Sequence, residues 1–293
     1  MKARSDEEPA RETRPVRRLA RLMGRRALGE AERERRANLT AGVPYLSLVR
    51  SPREHGPLRE TAPRTIRVAT YNVHRWTGLN GRRSPDGARA GFVISELAAD
   101  VMALQEVLRP FEGEDPLPGI ADALRLHLAF VTTRVHRRGE LGNAILSRWP
   151  ITSVFALDLS FSRLERRSAV AVQFLFGDRP LTVVATHLAL GDRTRHRQVR
   201  SILEHERLQG PVVLLGDLNA WRPSKATRDL EEHWGAQHQE IDWPASFPAA
   251  RPILALDRVY ARGAKIESVE AHSSPAARKA SDHLPIVAKI HLG

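Results

Sequence analysis

From Thr65 to the C-terminus, short apolar runs alternate with turn residues and a few helical segments. The runs predict strands over Ile66–Asn72, Val101–Gln105, Ala144–Ser147, Ile151–Leu157, Ala169–Phe176, Leu181–Thr186, Val212–Gly216, Leu256–Tyr260 and Ile286–Ile290. Helical spacing predicts helices near Gly91–Ala99, Arg193–Glu206 and Ser224–His233, the second with Val199, Ile202 and Leu203 on one side. Runs such as Pro211–Leu215 are apolar at nearly every position, which is the pattern of strands covered on both faces. Sheets with helices packed outside them satisfy that pattern, and no short-period repeat is present.

The pattern differs before Thr65. Pro44, Pro52, Pro57 and Pro63 punctuate a linker. Upstream, Val16, Leu19 and Met23 recur at helical spacing among Arg14, Arg17, Arg18, Arg21, Arg25 and Arg26. One reading is a basic amphipathic helix lying on an anionic membrane or on nucleic acid. The other is a solvated, partly disordered extension, which the charge-rich composition favours. Residues 1–64 are therefore read as a basic extension and linker, and 65–293 as one domain.

Composition narrows the chemistry. The chain has 293 residues, 42% of them hydrophobic, enough for one large core or at most two smaller ones. The formal charge is +12, which makes a polyanionic partner a reasonable expectation. That charge is uneven: residues 1–64 carry +7 and the other 229 only +5. No cysteine is present, so disulfides, thiolate metal sites and a cysteine nucleophile are excluded. Any metal must take oxygen or imidazole ligands, which favours a hard divalent ion. Neither a spanning apolar segment nor a secretory signal is evident, so the expectation is a cytoplasmic protein, with residues 1–40 able to touch the inner membrane surface. No obligate protein partner is inferred.

Each apolar run ends in residues able to bind metal or phosphate. The endings are Tyr71-Asn72-Val73-His74, Leu104-Gln105-Glu106-Val107, Thr186-His187-Leu188, Leu215-Gly216-Asp217-Leu218-Asn219, Leu256-Asp257-Arg258 and Ser281-Asp282-His283-Leu284-Pro285. Singly, each is ordinary turn chemistry. Six together, in a layered α/β fold whose strand ends share a rim, describe one cleft.

The stretches TYNVH, LQEV, GNAILSRWP, THLAL, GDLNA, LDRVY and SDHLPI, in this order from Thr65 onward, resemble the endonuclease/exonuclease/phosphatase superfamily, most closely its bacterial metal-dependent hydrolase branch. The resemblance implies a deoxyribonuclease-I-like, four-layer α/β sandwich, with two mixed sheets face to face and helices outside. It makes residues 65–293 a catalytic domain that cleaves phosphoesters, phosphodiesters foremost, with Mg2+ or Mn2+. It implies that Glu106 is the principal metal carboxylate, with Asn72 beside it and Asp282 near the metal. Asp217 would activate water, Asn219 contact the phosphate, and His283, fixed by Asp257, stabilise the transition state. His187 is expected at the phosphate oxygens.

These roles meet the physical demands of the reaction. Phosphoester hydrolysis needs an in-line water, a cation on the equatorial oxygens and help for the leaving oxygen. A carboxylate beside an imidazole keeps the ring charged for the second task.

Other residues carry two readings each. His74 is either a phosphate contact or a packed histidine. Asn143 reaches the phosphate or is a satisfied buried amide. Arg167 and Arg195 grip substrate oxygens or are bystanders. Trp76, Trp149, Trp221 and Trp243 offer stacking faces for bases or simply roof the core. Nucleic acid and a phospholipid or small phosphodiester stand level as substrates. A catalytically weak module that binds phospholipid or nucleic acid through its basic N-terminus is the alternative, and the presence of Glu106, Asp217 and His283 argues against it.

Overall fold

Apolar residues on both sides of most strands give two sheets, each covered twice. The structure, a computed structural model, describes residues 40–53, 63–81, 85–161, 165–234 and 241–293. Both sheets belong to the unit Val43–Gly293. The basic segment Val16–Met23 lies outside the described residues.

The elements in chain order are β1 (Tyr45–Arg50), β2 (Thr65–Asn72), α1 (Gly87–Glu96), β3 (Val101–Pro110), α2 (Pro116–Ala123), β4 (His127–His136), β5 (Gly139–Ser147) and β6 (Ser153–Asp158). Then come β7 (Ser168–Phe176), β8 (Arg179–His187), α3 (Asp192–Leu203), β9 (Val212–Asp217), α4 (Lys225–Trp234), β10 (Asp257–Arg262), β11 (Lys265–Ala271), α5 (Ala277–Ala280) and β12 (Ile286–His291). Helix starts follow local chemistry. Asp86 accepts from Ala88 N at the head of α1, and Asp115 accepts from Leu117 N ahead of Pro116 in the first turn of α2.

One sheet has seven strands in the order β1-β4-β5-β3-β2-β12-β11, and the other five, β10-β9-β8-β7-β6. Side-chain alternation along each strand builds three apolar layers. Val68, Val101, Ile145 and Ile286 face Val170, Val183, Leu215 and Val259 between the sheets. Tyr71, Leu104 and Leu146 of the larger sheet turn outward beneath α1 and α2. Val184 and Leu214 of the smaller sheet meet Val199 and Ile202 of α3. Each such side chain contributes roughly 1.5–3 kcal/mol relative to exposure. That two-sided burial selects the sandwich the sequence implied: two mixed sheets with helices outside.

Each sheet contains one parallel pair, β2 with β3 and β8 with β9, and each pair is joined across a helix. Their carboxyl ends therefore point the same way within each sheet. Antiparallel β12 starts where β2 ends, with Ile286 opposite Thr70, and β10 starts where β9 ends, with Asp257 opposite Asp217. This topology gathers the six polar endings on one rim.

Three strands escaped the sequence reading. β1 lies inside the stretch read as linker, yet pairs with β4 from Tyr45↔Thr132 to Arg50↔Leu128, so the larger sheet begins before Thr65. β4 contains His127, Thr132, Thr133 and Arg134, which break its apolar run. β11 is a short, largely exposed edge strand. Among the described residues, no helix is long and apolar enough to cross a membrane.

Candidate active site

Asp217 closes β9 and is 2% exposed. Its Oδ1 accepts from Asn219 N at 3.0 Å, a tight turn made possible by the left-handed φ of 50° at Asn219. Its Oδ2 accepts from Asn72 Nδ2 at 3.1 Å and lies 3.3 Å from His187 Nε2 and 3.8 Å from His283 Nε2. Gly216 precedes it because the parallel neighbour is close: a Cβ there would stand 2.0 Å from Thr186 O.

His283 is held from behind. Its Nδ1 donates to Asp257 Oδ2 at 2.8 Å, and the same oxygen accepts from Ser246 Oγ at 2.6 Å. Asp257 is fully buried. Phe247 packs on the imidazole with ring centroids 4.9 Å apart. Ser281 ties the loop to β2, donating from Oγ to Asn72 O at 2.6 Å while accepting from His283 N at 3.2 Å. Ser246 and Ser281 both position the ring.

Charge follows from this packing. Burial alone would lower the His283 pKa, but the carboxylates of Asp257 and Asp217 outweigh it and lift the ring to about 10, so it is an imidazolium at neutral pH. Burial raises Asp217 to about 6 against the pull of the His283 charge. Burial, with Arg167 and His283 nearby, holds His187 well below the usual histidine range, so that ring is neutral.

Glu106 does not end its strand. β3 continues to Pro110, and Glu106 sits in a bulge between Leu104 and Val107 with φ 51°. A left-handed non-glycine residue costs free energy, and bulges re-aim side chains beside functional sites. The preceding turn is also left-handed, with φ of 44°, 57° and 63° at His74, Arg75 and Trp76. Trp76 anchors that turn in the core through Nε1 to Leu108 O, which sets Arg75 Nε 3.2 Å from Glu106 Oε2 and His74 Nδ1 3.1 Å from Asp282 Oδ1.

Nine of the eleven residues expected from the sequence line one cleft of ≈ 370 Å³: Asn72, His74, Glu106, Arg167, His187, Asp217, Asn219, Asp282 and His283. Asp257 lies behind His283. Asn143 lines an adjoining hollow and donates from Nδ2 to Ser168 O at 2.9 Å. Both ends of the Asn72 amide are engaged, Nδ2 on Asp217 and Oδ1 accepting from His74 N. Asn219 likewise donates from Nδ2 to Leu188 O. His74 Nδ1 is also 2.9 Å from Gly78 O, so this nitrogen is occupied by Gly78 and Asp282.

Arg195 is no substrate grip. It is 1% exposed and donates to Ala189 O, Leu190 O and Asp192, bracing the loop into α3. Among the tryptophans, Trp76 is core, Trp149 packs on Phe174 and Phe176, and Trp243 on Tyr260. Only Trp221 of these, 45% exposed, lines the cleft, as does Leu190, 65% exposed. Sequence reasoning missed Arg75, Ser246 and Ser281 as working parts, because their partners are remote in sequence or main-chain atoms.

The donor set suits a hard divalent cation. Burial raises the Asp282 pKa against His283 and His74, and the negative charge of Glu106 adds to the rise. Glu106 and Asp282 in one cleft match the one or two carboxylates that magnesium takes, with water and substrate oxygens completing its shell. Asp217, Asp257 and His283 also bring ligand atoms within 4.8 Å of one another. There, however, His283 carries a positive charge and its Nδ1 is spent on Asp257, so that group reads as a proton-holding chain.

The fold and the rim chemistry together define a layered α/β protein with an acid–imidazole cleft at its strand ends. The chain belongs to the Endonuclease/Exonuclease/phosphatase family, whose model matches residues 69–283. Membership places it among metal-dependent phosphoester hydrolases. It is 30% identical over 263 residues to the uncharacterized protein YbhP of Escherichia coli K12, covering 80% of this chain and 99% of that one. An endonuclease/exonuclease/phosphatase from Beutenbergia cavernae superposes with a TM-score of 0.65 at 25% identity, over 79% of this chain and 72% of that chain. The Bacteroides thetaiotaomicron mannosyl-6-phosphatase Bt3783 shares the fold, with a TM-score of 0.61 at 14% identity, over 77% of this chain and 99% of that chain.

Proposed function

We propose that the chain hydrolyses phosphodiesters by direct attack of water. The observation that carries this reading is the pairing of a buried carboxylate, Asp217, with a charged imidazole, His283, across an open cleft. Asp217 accepts the proton of the attacking water and is held in line by Asn72 and Asn219 N. The imidazolium of His283 faces the phosphoryl oxygens as negative charge builds on them, and Asp257 with Ser246 keeps it charged and oriented. Neutral His187, 3.3 Å from Asp217, offers a hydrogen bond without competing for the proton. Glu106 and Asp282 would hold a magnesium or manganese ion, which when bound supplies positive charge to the equatorial oxygens. Among the described residues that line the cleft, no side chain is arranged as a nucleophile, so the reading needs no covalent intermediate.

Leu190 and Trp221, both exposed in the cleft, support a diester over a monoester, since they offer apolar surface for an organic substituent. Residues 1–40 are proposed to add contact with anionic lipid or nucleic acid. The test is turnover of bis-p-nitrophenyl phosphate by the full chain with magnesium, compared with p-nitrophenyl phosphate. Turnover of the diester supports the reading; preference for the monoester, or activity undiminished in chelator, overturns it.

A further inference from the structure

Beside the catalytic cleft lies a second, smaller hollow of ≈ 30 Å³, lined by Arg134, Asn143, Arg166 and Arg167 and sharing Glu106, Arg167 and His187 with the cleft. It is a built feature. Arg134 follows the β4 bulge at Thr133, whose Oγ1 hydrogen-bonds Ser168 Oγ at 2.5 Å at the start of β7. Ser168 O accepts from Asn143 and from Thr186 Oγ1, so this one residue ties both sheets together. Arg166 and Arg167 immediately precede it. The main chain of Arg167 is clamped by Ser160, whose Oγ both donates to Arg167 O and accepts from Arg167 N.

The charge there is unbalanced. Arg167 Nη2 meets Glu165 at 3.1 Å, and Arg75 meets Glu106 at 3.2 Å. Among the described residues, neither Arg134 nor Arg166 has a carboxylate within 4.0 Å, and the buried Nε of Arg167 has no hydrogen-bond acceptor. Desolvation lowers the Arg134 pKa against the pull of Glu106, with Arg167 and Arg75 adding repulsion. Burial lowers that of His136, with Arg138, Arg134 and Arg75 adding repulsion. Crowded guanidinium groups with open donors are a binding site for an oxyanion, which Arg takes bidentately. The hollow is too small for a base or sugar ring, and it adjoins the cleft, so the guanidinium groups could receive only the oxygens of an anion lying across the two.

We propose that Arg134, Arg166 and Arg167 form a second phosphate subsite, so that preferred substrates carry another phosphate a few bonds from the scissile one. This rests on the phosphodiesterase reading for its substrate claim, but not for its anion. The shared residues Glu106, Arg167 and His187 make the two pockets contiguous, so one molecule spans both. A neighbouring backbone phosphate of an oligonucleotide and a phosphorylated headgroup of a glycerophosphodiester present the same chemistry.

The first measurement needs no turnover: binding of inorganic phosphate to the full chain in chelator, by 31P line broadening. Arg134→Gln/Arg166→Gln should weaken binding at least ~10-fold, as loss of charge-assisted bonds predicts, while Arg134→Lys/Arg166→Lys, which keeps the charge but not the fork, restores only part of it. Equal binding by the wild type and the glutamine variant, or none by the wild type, overturns the subsite. The second measurement compares kcat/KM with magnesium for dithymidylate with and without a 5′-phosphate, and for glycerophosphoinositol with and without a 4-phosphate. A ~10-fold advantage for the extra phosphate in one pair, erased by the glutamine variant, supports the proposal and names the source. Turnover with no advantage in either pair overturns it. Phosphate binding that needs Arg134 and Arg166, without hydrolysis of any diester, removes the enzymatic reading and leaves the anion site standing.

Discussion

Asp217 and Asp257 are direct cross-strand partners on β9 and β10, and one imidazole reaches both: His283 Nδ1 is 2.8 Å from Asp257 and Nε2 3.8 Å from Asp217. Two buried carboxylates side by side would repel strongly. The single positive charge between them offsets that repulsion and leaves Asp217 as the member that faces the cleft.

A pH profile follows. kcat/KM should rise from the acid side through about 6, as Asp217 ionises, and fall through about 10, as His283 loses its proton. Asp257→Asn removes the largest upward influence on His283, so the alkaline limb should move to lower pH. An alkaline limb that stays in place would separate it from His283. Stability carries the same sign: the His283 pKa is raised by folding, so its contribution is complete below about 6.5 and lost as pH rises through about 10. Thermal melts across that window should decline in the wild type and flatten in Asp257→Asn.

Asp217→Asn keeps the shape and the bond to Asn219 N but cannot accept a proton. Hydrolysis should fall ~100-fold or more, with an unchanged near-UV circular dichroism spectrum. A variant keeping a tenth of wild-type activity would remove Asp217 from proton transfer.

Much of this was legible in the sequence because apolar runs that stop at Asn72, His187 and Asp217 mark strand ends, and the paired topology puts those ends together, whereas Asp257 opens β10 and joins them from the antiparallel neighbour. Glu106 lines the cleft as expected, but from within its strand rather than at a terminus. Its left-handed bulge is written by tertiary packing around Trp76 and Leu108, and no glycine announces it. β1 was hidden among prolines, although its register on β4 and the Arg50–Asp122 contact at 2.7 Å hold it firmly. Ser246 gave no local signal, since its partner Asp257 is recruited only when the loop before β10 folds back.

Glu106→Gln should separate metal affinity from fold. Activity of the wild type should vanish in chelator and return with magnesium or manganese, and the variant should need a higher metal concentration to reach half its activity. Losing one of two carboxylates from such a site should weaken metal binding ~10-fold or more. An unchanged metal requirement would move the ion elsewhere.

Gly216→Ala tests how the site is framed. The added Cβ would meet the backbone Thr186 O at 2.0 Å, so β8 and β9 must separate just where His187 and Asp217 stand. The expected cost is about 3 kcal/mol, read from the urea midpoint, with activity falling alongside. Full stability would show that the parallel pair can yield.

Truncation distinguishes the extension from the fold. Removing residues 1–42 keeps the whole of Val43–Gly293, which carries both sheets, and should leave melting temperature and small-diester turnover intact. Removing residues 1–60 also takes β1, its ladder on β4 and the Arg50–Asp122 pair. It exposes the β4 edge and with it the strand that carries Arg134. A loss of about 2–4 kcal/mol is expected for that second deletion, with aggregation through the bared edge. Equal melting temperatures for the two truncations would mean that β1 is only loosely attached to the sheet.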